Sequence, residues 1–243
     1  RDTDRSRGLG DVYKRQGLTK LSQQYHEIIR EHICRGAYKH AKRPILINNW
    51  EATYFNFNEE KILKIAEQAQ KLGIEMLVLD DGWFGKREDD NSGLGDWFVN
   101  EKKMNGSMAQ LAEKIHKMGM KFGLWFEPEM ISEDSDLYRA HPDWAFAIPG
   151  RVPNHSRNQL VLDMTREDVR EYLLERLTTI VHDAKIDYVK WDMNRSVCDV
   201  YSHVAAQSRN GELYHRYVLG VYDLLEKFLA ACPVSYTHLR AHE

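Results

Sequence analysis

Three features of the chain predict an α/β fold of parallel strands, amounting to about four βα units, the N-terminal part of a (β/α)8 TIM barrel. One unit recurs: "AEQAQKLGIEMLVLDDGW", "AEKIHKMGMKFGLWFEPE" and "TTIVHDAKIDYVKWDMN" each pass from a helix pattern through a tight turn into an apolar run that ends in carboxylates. The runs at 45–48, 76–79, 121–126 and 188–191 are mostly continuous rather than alternating, which suits parallel strands covered on both faces. Their acids fall at the C-terminal ends: Glu51, Asp80 with Asp81, Glu127 with Glu129, and Asp192. In a parallel α/β barrel that end is the rim where sites are built. A doubly wound open sheet also binds ligands there, but no GxGxxG or phosphate loop follows any run, and the barrel is favoured.

The elements follow in order. Asn58 opens the first helix, "EEKILKIAEQAQKLG", with Ile62, Ala66, Ala69 and Leu72 on one stripe and Gly73 at its stop. Ser107 and Gln110 make a capping-box pair for the second helix, which ends at Gly119, and Thr165 with Asp168 is expected to cap the third. "QLVLD", 159–163, reads as part of an elaborated loop after the third strand. The ends, 1–16 and 233–243, show no sustained apolar period and resemble translated linker sequence, which places the partial barrel at 17–232. On that reading strands one and four flank exposed edges.

Composition narrows the function. With 243 residues, 42% of them hydrophobic and 11% aromatic, the chain can build a packed core. A formal charge of -3 with acids and bases interspersed gives no polybasic surface for nucleic acid. Cys34, Cys198 and Cys232 are odd in number and lack CxxC spacing, so neither a disulfide framework nor a zinc site is expected, and the compartment reads as reducing. No apolar stretch is long enough to cross a bilayer. A cytoplasmic protein without membrane partners is expected.

A single acid at a strand end is more often a cap or a surface partner. Acids at four strand ends in register are different, because clustered carboxylates on a rim need cations or hydroxyl donors among them. Lys190 and Arg157 are candidate cations, and a polyhydroxylated ligand fits such a site. Trp50, Trp83, Trp97 and Trp125 would suit stacking on the apolar face of a sugar ring. In "DYVKWDMNR" the period of two puts Lys190 and Asp192 on one side and Trp191 on the other.

The blocks "RPILINNWEATYF", "LVLDDGWFGKREDDNSGLGDW", "GLWFEPEMISEDSDLYRAHPDW", "RNQLVLD" and "YVKWDMNR" resemble, in order, those of bacterial α-galactosidases of glycoside hydrolase family 36. The resemblance covers nearly everything from Gly17 to about Cys232. It implies hydrolysis, with retention, of terminal α-linked galactose from oligosaccharides of the melibiose and raffinose type. The fold it implies is a (β/α)8 barrel between an N-terminal β-sandwich and a C-terminal β domain. No cofactor and no metal are implied, and the complete enzyme is expected to be a homo-oligomer.

Residue by residue, the resemblance makes Asp192 the nucleophile, with Lys190 expected to keep it ionised. Asp80 and Asp81 would grip galactose hydroxyls, Trp125 would line the pocket, and Arg157 and Asn194 complete the substrate-binding set. The general acid/base of the family lies on a later strand, beyond the end of this chain, so the truncated chain is expected to be inactive. Glu127, on a neighbouring strand, is the nominee from position alone, and the resemblance argues for a pocket or structural role instead. Two readings from other classes stand beside this one: a Mg²⁺-dependent barrel enzyme with carboxylate ligands, and a module that binds galactose without turnover.

Overall fold

In the computed structural model, residues 13–34, 39–232 and 236–239 are described. The chain divides into two units, Arg1–Arg43 and Pro44–Glu243. In the first, α1 (Tyr13–Ile28) runs into a π-helical turn, Ile29–Ile33, where the Cys34 N–H closes on the Ile29 carbonyl at 2.8 Å.

The second unit carries the sheet. β1 (Leu46–Asn48) leads through α2 (Trp50–Thr53) and α3 (Glu59–Lys71) to β2 (Met76–Leu79), and α4 (Met108–Lys117) leads to β3 (Lys121–Phe126). A long connection holds β4 (Met130–Ile131), α5 (Asp136–Ala140) and β5 (Leu160–Val161). Then come α6 (Glu167–Asp183), β6 (Tyr188–Trp191), α7 (Leu213–Ala231) and β7 (Tyr236–Leu239). Five strands pair in the order β1-β2-β3-β6-β7, every pair parallel.

The helix-connected parallel sheet is the one expected, and "QLVLD" lies in the long connection, where β5 pairs antiparallel with β4. One strand differs. β7 falls in the C-terminal stretch that the sequence sets apart, and it pairs with β6 from Tyr188↔Tyr236 to Trp191↔Leu239. β6 is therefore an interior strand rather than an edge, because its second row of backbone groups is taken up by β7.

Local chemistry explains the helix ends. The Asn58 side chain accepts the Lys61 N–H at 3.0 Å, and Ser107 and Gln110 exchange both bonds of a capping box. Gly73 and Gly119 follow α3 and α4 with φ of 79° and 77°, which glycine adopts without strain. Two expectations fail here. Leu72 stands past the last turn and is 81% exposed, so the buried stripe of α3 ends at Ala69. Thr165 and Asp168 do not cap α6: the Thr165 hydroxyl donates to Asp163, and Asp168 accepts the Arg166 guanidinium at 2.7 Å. Asp163 takes up the Thr165 hydroxyl, while Asp168 is forked by Arg166 and reaches the adjacent Val169 N–H at 3.1 Å without bonding back to Thr165.

The strands alternate between two surroundings. Leu77, Leu79, Phe122, Leu124, Phe126, Val189 and Trp191 pack in the main core with the helices, each apolar side chain contributing about 1.5–3 kcal/mol by leaving water. The other face holds a small separate cluster, Met76, Val78 and Tyr188. Gly123 belongs to this face, where a Cβ would lie 2.7 Å from the Tyr188 ring and 3.0 Å from Val78, so the three strands meet closely only because it is glycine. Two residues further along each strand, on that same face, come Asp80, Trp125 and Lys190.

Candidate active site

β6 ends at Trp191, and Asp192 follows it, 5% exposed, with its N–H continuing the ladder onto the Phe126 carbonyl at 2.8 Å. The two carboxylate oxygens differ. Oδ2 accepts the Trp125 indole N–H at 2.9 Å and the Asn194 side-chain amide at 2.8 Å, whereas Oδ1 accepts the Met193 backbone N–H at 3.1 Å. All three donors are neutral. Arg157 reaches this carboxylate only through Asn194, whose Oδ1 accepts its guanidinium at 3.0 Å. Trp191 points to the helix side, its ring 6.0 Å from that of Phe228.

The end of β2 is organised by cations. The Lys190 ammonium donates to Asp80 Oδ2 at 2.7 Å, and the Asn48 amide donates to the same oxygen. The expected partnership of Lys190 with Asp192 is thus replaced by one with Asp80. Lys190 lies one residue short of the strand end, opposite Trp125, so its long stem spans β3 to the end of β2, while Asp192 already has its neutral donors. Asn49 accepts the Asp80 N–H at 2.7 Å.

Asp81 turns elsewhere. Arg87 forks onto it, Nε to Oδ1 at 3.1 Å and Nη2 to Oδ2 at 2.8 Å, with both residues buried. Burial raises the Asp81 carboxyl above the ordinary carboxylate value, and the Arg87 guanidinium pulls in the opposite direction. The two aspartates of "DDGW" therefore occupy different environments: Asp80 shares the Lys190 face, and Asp81 is tied down by Arg87.

Glu127, the first residue past β3, is 1% exposed. Its Oε1 accepts the Asn194 backbone N–H at 2.5 Å and the Gln159 side-chain amide at 3.3 Å. Burial lifts its carboxyl to about 7; the Asn194 hydrogen bonds oppose the rise, and the nearby charges of Asp192 and Asp81 add to it.

Other rim residues stand outside the site. Glu129 accepts the Trp191 indole at 3.3 Å and the Tyr217 hydroxyl, tying β6 to α7. Glu51 is exposed and accepts the Tyr54 hydroxyl at 3.1 Å. Trp83, Trp97 and Trp125 all lie in the core at 0%, 1% and 2% exposure, so none presents an open stacking face here, and only Trp125 of the three directs its indole N–H to Asp192. Trp125 lies on Asp192, and Trp50 stands half-buried after β1, edge-on to Tyr54 and Phe55. Among the described residues no three His, Cys, Asp or Glu side chains gather to hold a metal ion, and the acids are engaged by N–H donors, so the magnesium reading gains no support.

Asn48, Asn49 and Arg87 were missed by sequence reasoning. The adjacent asparagines closing the first strand were a usable signal, since they sit at the level of the other strand ends. Nothing local marked Arg87, which reaches Asp81 across a glycine-rich loop.

The family model described as Melibiase matches residues 7–237. The chain belongs to the Melibiase family, glycoside hydrolase family 36. The chain is 56% identical over 221 residues to the bifunctional alpha-galactosidase/sucrose kinase AgaSK of Mediterraneibacter gnavus, covering 91% of the chain and 23% of that protein. It is 54% identical over 222 residues to the alpha-galactosidase Mel36A of Lactobacillus acidophilus, covering 91% of the chain and 30% of that protein. A crystal structure of a variant of the GH36 alpha-galactosidase AgaA from Geobacillus stearothermophilus in complex with raffinose superposes with a TM-score of 0.90 at 49% identity, over 92% of this chain and 31% of that one. A second AgaA variant, in complex with stachyose, gives a TM-score of 0.89. The chain thus spans under a third of the length of these relatives, and its parallel strands are part of a TIM barrel. No helix among the described residues is long and apolar enough to cross a membrane.

Proposed function

We propose that this segment carries the nucleophile and galactose-binding residues of a retaining α-galactosidase, acting on α-galactoside oligosaccharides such as melibiose, raffinose and stachyose. The observation that carries the reading is the asymmetric Asp192 carboxylate, with Oδ2 held by two neutral donors and Oδ1 by a single backbone N–H. Two bonds orient the group without neutralising it, and Oδ1 is the oxygen free to attack. The attack forms a glycosyl ester at the anomeric carbon as the bond to the leaving oxygen breaks; a second carboxyl protonates that oxygen and then activates water. We assign that second carboxyl to a region outside these residues, because Glu127 is directed onto Asn194. Asp80, with Lys190 and Asn48 around it, reads sugar hydroxyls, and Asp81 fixes the loop beside it.

Raffinose and stachyose on the AgaA variants support this substrate class. The three free cysteines fit a cytoplasmic setting, and we read the complete enzyme as a homo-oligomer, which sedimentation of the complete protein checks.

The deciding experiment is Asp192→Asn in the complete enzyme. Turnover of nitrophenyl α-galactoside should fall by at least roughly 10³-fold, while calorimetric galactose binding stays near wild type. The wild-type enzyme should release α-galactose first, by NMR of the product. Near-normal turnover in the variant, or β-galactose as the first product, would end the assignment.

A further inference from the structure

We infer that Glu127 is a positioning residue for the nucleophile, acting through Asn194 rather than on the substrate. The inference rests on the reading of Asp192 as nucleophile given above.

The geometry is a relay of three contacts. Phe126 and Trp191 are register partners at the ends of β3 and β6, so Glu127 and Asp192 each stand one residue beyond a paired position. Glu127 Oε1 accepts the backbone N–H of Asn194, the second residue after Asp192. The Asn194 side chain then donates to Asp192 Oδ2 at 2.8 Å, beside the Trp125 indole at 2.9 Å. Two loops are therefore pinned to each other at the point where the nucleophile is aimed.

The same carboxyl secures the far side of the relay. Gln159 donates its side-chain amide to Glu127 Oε1 at 3.3 Å, and its carbonyl accepts the buried Arg195 guanidinium. Arg195 follows Asn194, so the turn after β6 is held at consecutive residues, by Glu127 directly and by Gln159. Gln159 also closes the turn that carries Arg157, bridging to Ser156, and Arg157 donates to the remaining acceptor of the Asn194 side chain at 3.0 Å. Asn194 is thereby oriented from its backbone and from its amide oxygen, which leaves its NH₂ directed at Asp192. The contact needs an oxygen acceptor at this place rather than a full charge, and Glu127 Oε1 supplies one from a buried group whose side chain is fixed by Gln159 as well.

A general acid would behave otherwise. It would present a proton to the leaving oxygen, and its loss would matter most where the leaving group is poor. A positioning residue loses the aim of Asp192, so every substrate slows equally.

The test uses the complete enzyme and compares Glu127→Ala, Glu127→Gln, Asn194→Ala and the double variant Glu127→Ala/Asn194→Ala on melibiose and nitrophenyl α-galactoside, with folding checked by circular dichroism. Glu127→Ala should lower kcat by about 10²-fold on both substrates, with KM changed much less, the size expected when a reacting group is displaced by about an ångström. Glu127→Gln keeps the acceptor and should recover most of that loss. The double variant should be little slower than the worse single variant, because the two residues act in series. Unchanged kcat in Glu127→Ala, a loss confined to melibiose, multiplying effects in the double variant, or a folded Glu127→Gln enzyme as slow as the alanine variant would each overturn the inference. If Glu127→Ala does not fold, Glu127→Met, which keeps the volume and lacks the acceptor oxygen, takes its place in every comparison. Failure of the underlying reading looks different: Asp192→Asn would retain turnover whatever happens at Glu127.

Discussion

The ends of β2 and β6 lie two strands apart and hold their aspartates by opposite means. At β2, Asp80 and Asp81 are paired with full cations, Lys190 and Arg87. At β6, Asp192 is held by an indole, an amide and a backbone N–H, all uncharged. A carboxylate that must bind neutral hydroxyls, or brace a loop, tolerates a cation beside it. One that must attack carbon keeps more of its electron density when oriented by neutral donors, and the division of donors between its oxygens leaves one of them available. Charge at the rim is thus unequally distributed among the acids, and on the proposed roles it is distributed by task.

The most disruptive way to break this contrast is at the cationic end. Arg87→Met leaves Asp81 buried without its fork and should cost about 3–5 kcal/mol of stability, measured by urea unfolding. A loss below about 1 kcal/mol would show that Asp81 is neutral or solvated when Arg87 is present.

An intermediate effect belongs to Glu127, which sits between the two ends. Its carboxyl titrates at about 7 in the folded protein against an ordinary value of 4.5, because burial disfavours the charge. Between those two values the unfolded chain has released a proton that the folded chain retains, so stability falls as pH rises through the window. The slope should approach about 1.4 kcal/mol per pH unit and vanish above the folded value. Urea melts from pH 4.5 to 8 on wild type and Glu127→Gln should show this component only in the wild type; identical slopes would place the carboxyl in a wetter setting.

The smallest effect sharpens the neutral end. Trp125→Phe removes the indole donor to Asp192 Oδ2 and leaves Asn194 as the other one. One hydrogen bond of about 1–1.5 kcal/mol corresponds to roughly a tenfold fall in kcat on nitrophenyl α-galactoside. A fall of 10³-fold would make the indole, rather than the pair of donors, the element that orients the nucleophile.

Much of this was legible before the structure. Continuous apolar runs marked 76–79, 121–126 and 188–191 as parallel strands because a strand covered on both faces cannot show polar alternation. Period two placed Lys190 on the site face and Trp191 against the helices, and both stand there. Asn58, Ser107 and Gln110 were readable as caps because capping is local, set by residues two or three apart. Thr165 and Asp168 misled for the converse reason: Asp163 and Arg166 offered competing partners that spacing alone does not rank.

Partner choice was not in the sequence. Which acid Lys190 serves depends on how far β2 and β6 stand apart across β3, a distance set by strand order. The sequence could not tell that Trp83, Trp97 and Trp125 would all be buried, with the Trp83 indole donating to the Trp125 carbonyl and the Trp125 indole to Asp192, since burial depends on what the long loops fold over. Nor could it show that Glu127 would accept the Asn194 N–H, a contact between residues 67 positions apart. By itself the sequence determined β2, β3 and β6, the face their side chains take and the presence of acids at one rim, because these follow from local periodicity, whereas β7 carried no such signal. Only the tertiary structure decided which donor each acid receives, because a hydrogen bond needs two groups within about 3 Å, and only the packed sheet brings them there.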